Sequence, residues 1–212
     1  MNVSMTPKII ALASTKGGVS KSSLAVALAG VAATEYDKRV LLVDADENGG
    51  SSGWFALGGQ DAPYDIDTSN GSDGKLARLR ARTDYDLIVV DLPGFRGQSL
   101  IDIVLGSAYD LLVIPTRANP LDVAPLRSLV PAITGDYRVV FTMTTPGRDP
   151  DVDAYRAAFA AVGWKIANTS VRQSKGWPRA AQEARLVTTG SDFPTARTDA
   201  RALTAELLEI IR

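Results

Sequence analysis

Neither cysteine nor histidine occurs among the 212 residues of this chain. Disulfides, zinc fingers, cysteine-bound iron–sulfur clusters, thiolate nucleophiles and imidazole bases are therefore excluded. Any chemistry must use Lys, Arg, Asp, Glu, Ser or Thr. Neither sign of charge is in excess: 23 Lys+Arg stand against 24 Asp+Glu, a net of −1. No global basic field advertises a polyanionic partner, although a local patch can still form. Long apolar runs are missing too, with nothing approaching the ~18 residues of a membrane span. Residues 1–8 lack the charged and apolar blocks of a secretory signal, so a cytoplasmic protein is expected. At roughly 100–200 residues per domain, the length suits one domain over residues 1–212.

Short runs of Val, Ile and Leu recur, each followed by a helical stretch, which is the pattern of βα units around a parallel sheet buried on both faces. The expected strands are 8–14, 39–43, 86–91, 111–115, 138–142 and 165–168. Helices are expected over 21–34, 74–82, 99–107, 121–133 and 152–162, with a closing helical tail over 198–212. The fold class is thus α/β, a doubly wound and mostly parallel sheet. Residues 48–72 are rich in glycine and read as an irregular excursion with one short helix around Trp54. After Asn168 the strand pattern stops.

Directly after the first strand come Ser14-Thr15-Lys16-Gly17-Gly18-Val19-Ser20-Lys21-Ser22-Ser23, then an apolar helix. Strand, glycine-bearing loop with Lys-Ser, and helix form the arrangement that cradles nucleotide phosphates. Loop N–H groups and the positive helix end bind the anion, Lys21 reaches the β and γ phosphates, and the Ser22 hydroxyl ligates Mg²⁺. The strict G-x-x-x-x-G-K-[ST] pattern fails, because Thr15 and Ser20 stand where it asks for glycine. A strand ending in Asp44-Ala45-Asp46 puts two carboxylates at a strand's carboxyl end, where ligands of open α/β sheets bind. Alternation points both the same way. The strand 86–91 ends in Asp91, followed by Leu92-Pro93-Gly94, as a Walker B strand holding Mg²⁺ through water does. Residues 93–99 would then sense the γ-phosphate. Each feature has a plainer counterpart: a turn that binds nothing, or carboxylates that merely solvate a strand end.

Lys16 sharpens the reading. Lys-Gly-Gly-x-x-Lys-Ser resembles the deviant P-loop of the ParA and MinD superfamily, whose first lysine reaches into the partner subunit's site. The strand ending Asp-x-Asp resembles that family's second nucleotide motif, with Glu47-Asn48 in place of Pro-Gln. Ile114-Pro115-Thr116 with Asn119-Pro120-Leu121-Asp122 is similar to its post-strand loop. The short segment before the first strand is similar to that of small plasmid-partition ParA proteins without an N-terminal helix-turn-helix. The resemblance implies a P-loop NTPase fold, ATP and Mg²⁺ as cofactors, an ATP-dependent homodimer and hydrolysis of ATP. It implies that Lys16, Lys21 and Asp46 are catalytic, Asp46 positioning the attacking water, and that Lys16, Gly17, Gly18, Val19, Ser20, Lys21, Ser22 and Ser23 bind nucleotide. Ser22, Asp44 and Asp91 are the implied metal shell.

The same resemblance implies nonspecific DNA binding, association with the nucleoid and a ParB-like centromere-binding partner that stimulates hydrolysis. Residues 165–212 hold eight basic and five acidic side chains. Arg172, Lys175, Arg179 and Arg201 are the candidates there for phosphate contacts, and Trp164 and Trp177 for stacking or for the core. The alternative is a MinD-like membrane-cycling ATPase, which needs a basic amphipathic terminal helix. The tail carries Leu203, Leu207, Leu208 and Ile211 on one side, but its charges are Glu206, Glu209 and Arg212. Packing onto the domain is expected, with no membrane contact.

Overall fold

The computed structural model describes residues 6–46, 48–56, 61–68, 78–94 and 109–212. Seven parallel strands form one sheet: β1 (Lys8–Leu12), β2 (Val40–Asp44), β3 (Asp65–Asp67), β4 (Leu87–Asp91), β5 (Leu111–Thr116), β6 (Tyr137–Thr144) and β7 (Val171–Arg172), in the order β3-β2-β4-β1-β5-β6-β7. Among the described residues the helices are α1 (Lys21–Glu35), α2 (Pro120–Val123), α3 (Leu126–Leu129), α4 (Pro150–Ala161), α5 (Gly176–Gln182) and α6 (Pro194–Ile210).

The unbroken apolar runs of β1, β2, β4 and β5 are explained by burial on both faces. Alternate residues part company: Ile10, Leu12, Leu42, Val89 and Val113 join α1 and α6 in one core, while Ile9, Ala11, Val43, Ile88 and Ile114 join the α2–α4 side in the other. Sandwiched between the sheet and α6, α1 is apolar on nearly all sides and buried from Leu24 to Ala32. The order of the sheet puts β1 at its centre, between β4 and β5. Its carboxyl end therefore opens into a crevice flanked by the ends of β2 and β4, which is where ligands of this architecture bind.

Several expectations are corrected. The expected strand at 165–168 is reduced to a single parallel bridge between Val139 and Ile166. Strand pairing resumes beyond Asn168, as β7. The glycine-rich excursion carries a 3-10 turn at Ser52–Phe55, as expected around Trp54, but also the edge strand β3. The single helix expected over 121–133 is divided into α2, α3 and a 3-10 turn at Val130–Ala132, with Pro125 and Pro131 at the divisions, where no N–H is available to continue a helix. Helix α5 was not anticipated, and α6 begins at Pro194 rather than Thr198. The expected helix at 99–107, most of the sensor segment 93–99 and the start of the helix at 74–82 lie outside the described residues. Among the described residues no helix is long and apolar enough to cross a membrane.

Candidate nucleotide site

The loop between β1 and α1 is fixed from below. Ser14, buried, donates its hydroxyl to the Lys16 carbonyl at 3.0 Å, and the Thr142 hydroxyl donates to the Val19 carbonyl at 3.2 Å. Val19 is itself buried and serves as an anchor. Gly18 has φ +74° and Ser20 φ +67°, so two residues take the left-handed conformation. Ser20 stands where the strict motif has glycine, and the backbone there is the one glycine would adopt most easily. A Cβ on Gly17 or Gly18 would meet nothing within 4 Å: the space above the loop is open. At the start of α1 no side chain caps the helix and no acid lies in its first turn. Its first N–H groups, with the helix dipole behind them, are thus left for an anion.

Lys21 is buried at the foot of this opening. Its Nζ lies 2.6 Å from Asp91 Oδ1 and 3.7 Å from Asp46 Oδ2. Parallel register sets Asp44 beside Asp91 on adjoining strands. Burial pushes the Asp91 carboxyl above its usual range, against the pull of Lys21 and the hydroxyls of Ser22 and Ser51. Asp91 Oδ2 and Ser51 Oγ nevertheless complete no hydrogen bond although both are buried. Unpaired buried oxygens cost free energy, and these sit beside Ser22, where a hard cation and its water would satisfy them. Among the described residues no cluster of three acidic side chains offers a metal cage. The oxygens at hand, Ser22 Oγ and the unpaired Asp91 Oδ2, are hard donors of the kind Mg²⁺ takes.

Asp46 is oriented by Asn48, whose backbone N–H and Nδ2 donate to Oδ1 at 3.0 and 2.8 Å. Partial burial raises its carboxyl, but the Asn48 bonds, Lys21 and the Gly94 backbone outweigh it, holding the group below the usual range. Asp44 is committed to backbone: Oδ1 accepts from Asp46 N, and Oδ2 accepts from Ser51 N and Ser52 N at 3.1 and 2.7 Å. Its geometry is that of a brace for Asp46 and Ser51 rather than of an open ligand. A Cβ on Gly50 would come within 2.7 Å of Ser22 Oγ, so Gly50 keeps that hydroxyl accessible. Asn48 and Gly50 escaped sequence reasoning, which registered the first only as a departure from Pro-Gln and the second as one glycine among many.

The cleft over the loop, about 280 Å³, is lined by Lys16, Gly17, Gly18, Ser20, Lys21, Ser22, Ser23, Asp46 and Gly94. A second cleft of about 340 Å³ continues from it, sharing Gly18, Ser20 and Ser23 and walled by Met143, Arg172, Gln173, Ser174 and Trp177. Nothing at these wall positions carries a phosphate-loop signal in the sequence. Met143, like Ser20, takes the left-handed conformation, with φ +54°.

Lys16 stands apart, at the rim. Its side chain is 38% exposed and its Nζ lies 3.2 Å from Asp122 Oδ1. The four basic candidates are not alike. Arg172 donates its backbone N–H and its guanidinium to the buried Asp199, and it walls the second cleft. Arg179 pairs with Glu183, and Arg201 with Glu35. Lys175 is exposed at the start of α5. Trp177 belongs to the core, and Trp164 packs on Phe159 with ring centroids 4.6 Å apart. Leu203, Leu207, Leu208 and Ile211 of the tail are buried against the domain, as expected.

Comparison with known proteins agrees with this fold. Residues 10–187 match the CobQ/CobB/MinD/ParA nucleotide binding domain model. Maintenance of carboxysome distribution protein A of Gloeobacter kilaueensis is 32% identical over 208 residues, covering 95% of this chain and 94% of that protein. Protein ParA of Rhizobium radiobacter is 27% identical over 171 residues, covering 74% and 75%. Among solved structures, the ATP complex of a Cyanothece McdA variant superposes with a TM-score of 0.74 at 19% identity, covering 95% of this chain and 96% of that one. MinD of Aquifex aeolicus superposes at 0.73 with 16% identity, covering 95% and 97%.

Proposed function

The chain belongs to the CobQ/CobB/MinD/ParA nucleotide-binding family and is an ATPase of the ParA/MinD kind using ATP and Mg²⁺; from that premise we propose that it positions an intracellular cargo, cycling between an ATP-bound dimer on DNA and a released monomer. The relatives at sequence level are a carboxysome-distribution protein and a ParA. They support positioning as the class of function. Partition of a replicon, with a ParB-like partner, is one form of it, and distribution of a protein body is another.

The observation that carries the reading is the pair of lysines. One P-loop site needs one lysine on its phosphates, and Lys21 is buried for that task on Asp91 and Asp46. Lys16 instead lies partly exposed at the rim of the cleft, paired with Asp122, and in the proposed dimer it is the lysine that serves the second subunit. In this proposal the amides of the loop and of the first turn of α1 bind the phosphates, and Lys21 exchanges its carboxylates for the β and γ oxygens. Ser22 Oγ, and Asp91 through water, would hold Mg²⁺, which would supply neutralisation of charge on the phosphates. Asp46, fixed by Asn48 and kept ionised, orients the attacking water, while Asp44 acts through the loop it braces. The second cleft takes the nucleoside, Arg172 forming part of its wall.

Size-exclusion chromatography with ATP tests the assignment of roles. Lys16→Ala is expected to bind ATP yet stay monomeric and inactive, whereas Asp46→Ala is expected to keep ATP and accumulate as dimer. Identical behaviour of the two variants would sink at least one role. A membrane-cycling reading is disfavoured by the tail, whose apolar side is already buried against α1 and β7. Cosedimentation with DNA and with anionic liposomes, each with and without ATP, separates the two.

A further inference from the structure

Asp122 lies in α2, just past β5, and is only 2% exposed. Three cationic or amide donors meet its carboxylate: Lys16 Nζ at 3.2 Å, Arg117 Nε, and Asn119 Nδ2 at 3.0 Å. Burial works against ionisation, but the bonds from Arg117, Asn119 and Lys16 outweigh it and hold the carboxyl below the usual range. The donors differ in origin. Arg117 and Asn119 belong to the same segment as Asp122, and Asn119 Oδ1 also accepts from the Asp122 N–H at 3.0 Å, capping the helix. Lys16 alone comes from the phosphate loop.

That division matters energetically. A buried carboxylate that loses its only cation is left uncompensated, which is strongly destabilising. Here Arg117 and Asn119 remain when Lys16 departs, so Lys16 can leave without stranding a charge. The partly exposed lysine thus has one anion on its own subunit, and in the reading above a second one, phosphate, across a dimer interface.

We propose that Asp122 is a positioning residue for Lys16: it retains the rim lysine on its own subunit and so sets the threshold at which ATP brings two subunits together. This rests on the ATP-dependent dimer of the preceding subsection. Each subunit must release one lysine, so the contact enters the dimer constant twice. A roughly threefold preference of Lys16 for Asp122 becomes about a tenfold higher concentration for half-dimerisation.

The test uses sedimentation equilibrium with ATP in the Asp46→Ala background, where hydrolysis does not deplete the dimer. Asp122→Asn and Asp122→Ser are each expected to lower the half-dimerisation concentration about tenfold. A merely structural role would move the ATP affinity of the monomer as well. That affinity is therefore measured in the Lys16→Ala background, where no lysine contact remains to lose. Lys16→Ala and the double variant Lys16→Ala/Asp122→Asn are expected to coincide there. An unchanged or raised dimer threshold in both Asp122 variants overturns the proposal, as does failure of both to melt cooperatively, since Asp122 would then be framework. If Asp46→Ala itself stays monomeric with ATP, the dimer reading beneath it is what fails.

Discussion

Ser20 holds φ at +67° immediately before α1, and an L-residue in that conformation carries a cost of roughly 1–2 kcal/mol that glycine avoids. Glycine brings back about 0.5–1 kcal/mol of extra freedom to the unfolded chain. The conformational term is the larger, so Ser20→Gly should raise the melting temperature by ~1–3 °C, at the scale of 2–4 °C per kcal/mol for this size. ATP binding should be retained; a lower melting temperature would show that the serine side chain stabilises the loop. Lys21 poses the opposite problem, because it serves the fold as well as the ligand. Lys21→Ala removes the ammonium meant for the phosphates and leaves Asp91, fully buried, without its cation. ATP binding should vanish in isothermal titration, and stability to urea should fall by about 3 kcal/mol. Adding Asp91→Asn should restore most of the stability and none of the binding. Wild-type ATP affinity in Lys21→Ala would defeat the P-loop assignment.

Within the elements, local preference and packing disagree at Gly30. Alanine is favoured over glycine inside a helix by about 1 kcal/mol, yet a Cβ there would lie 2.6 Å from Leu186 Cδ2 and 2.7 Å from Cδ1. Leu186 is buried, so its displacement costs about 1–3 kcal/mol. Gly30→Ala should therefore destabilise by ~1 kcal/mol in urea, and Leu186→Ala placed with it should cost less than it does alone; a stabilised Gly30→Ala would mean that Leu186 turns aside freely. Such contacts between distant segments mark the limit of sequence reading. The central strands were legible because burial on both faces writes a continuous apolar run, and the site followed from lysines and aspartates at their carboxyl ends. β3 and β7 were not legible. Asp65–Asp67 is an edge strand with two carboxylates in three residues, and Val171–Arg172 is too short to show a period. Residues 165–168 look like a strand, yet only Ile166 is bridged to the sheet. The basic residues of the tail were legible as charges but not as pairs: nothing local reveals that Arg172 is bound to Asp199, or Arg201 to Glu35.

Over the whole molecule, those pairs decide which cations would be left for DNA if the proposed ATP-bound dimer binds it. With a net charge of −1 there is no bulk attraction, and binding must come from a patch. Arg172 is spent on Asp199 and on the wall of the second cleft, so its loss should disturb folding and nucleotide binding rather than DNA contacts alone. Arg179 and Arg201 meet phosphate only in competition with Glu183 and Glu35. Lys175, exposed on the loop that leads into α5, is the cleanest probe. Each phosphate neutralised contributes about 0.9 to the slope of log affinity against log salt, so a monomer with few such cations binds duplex weakly at physiological salt. Joining two subunits doubles the patch without a new residue, and the slope should rise nearly twofold with ATP over ADP. Lys175→Glu should then weaken ATP-dependent binding to the same degree for unrelated sequences while leaving basal ATP hydrolysis unchanged. Fluorescence anisotropy across a salt series, with ADP and with ATP, measures both quantities. Affinity that ignores nucleotide or salt, or a Lys175→Glu effect confined to one sequence, would overturn DNA binding by the paired subunits.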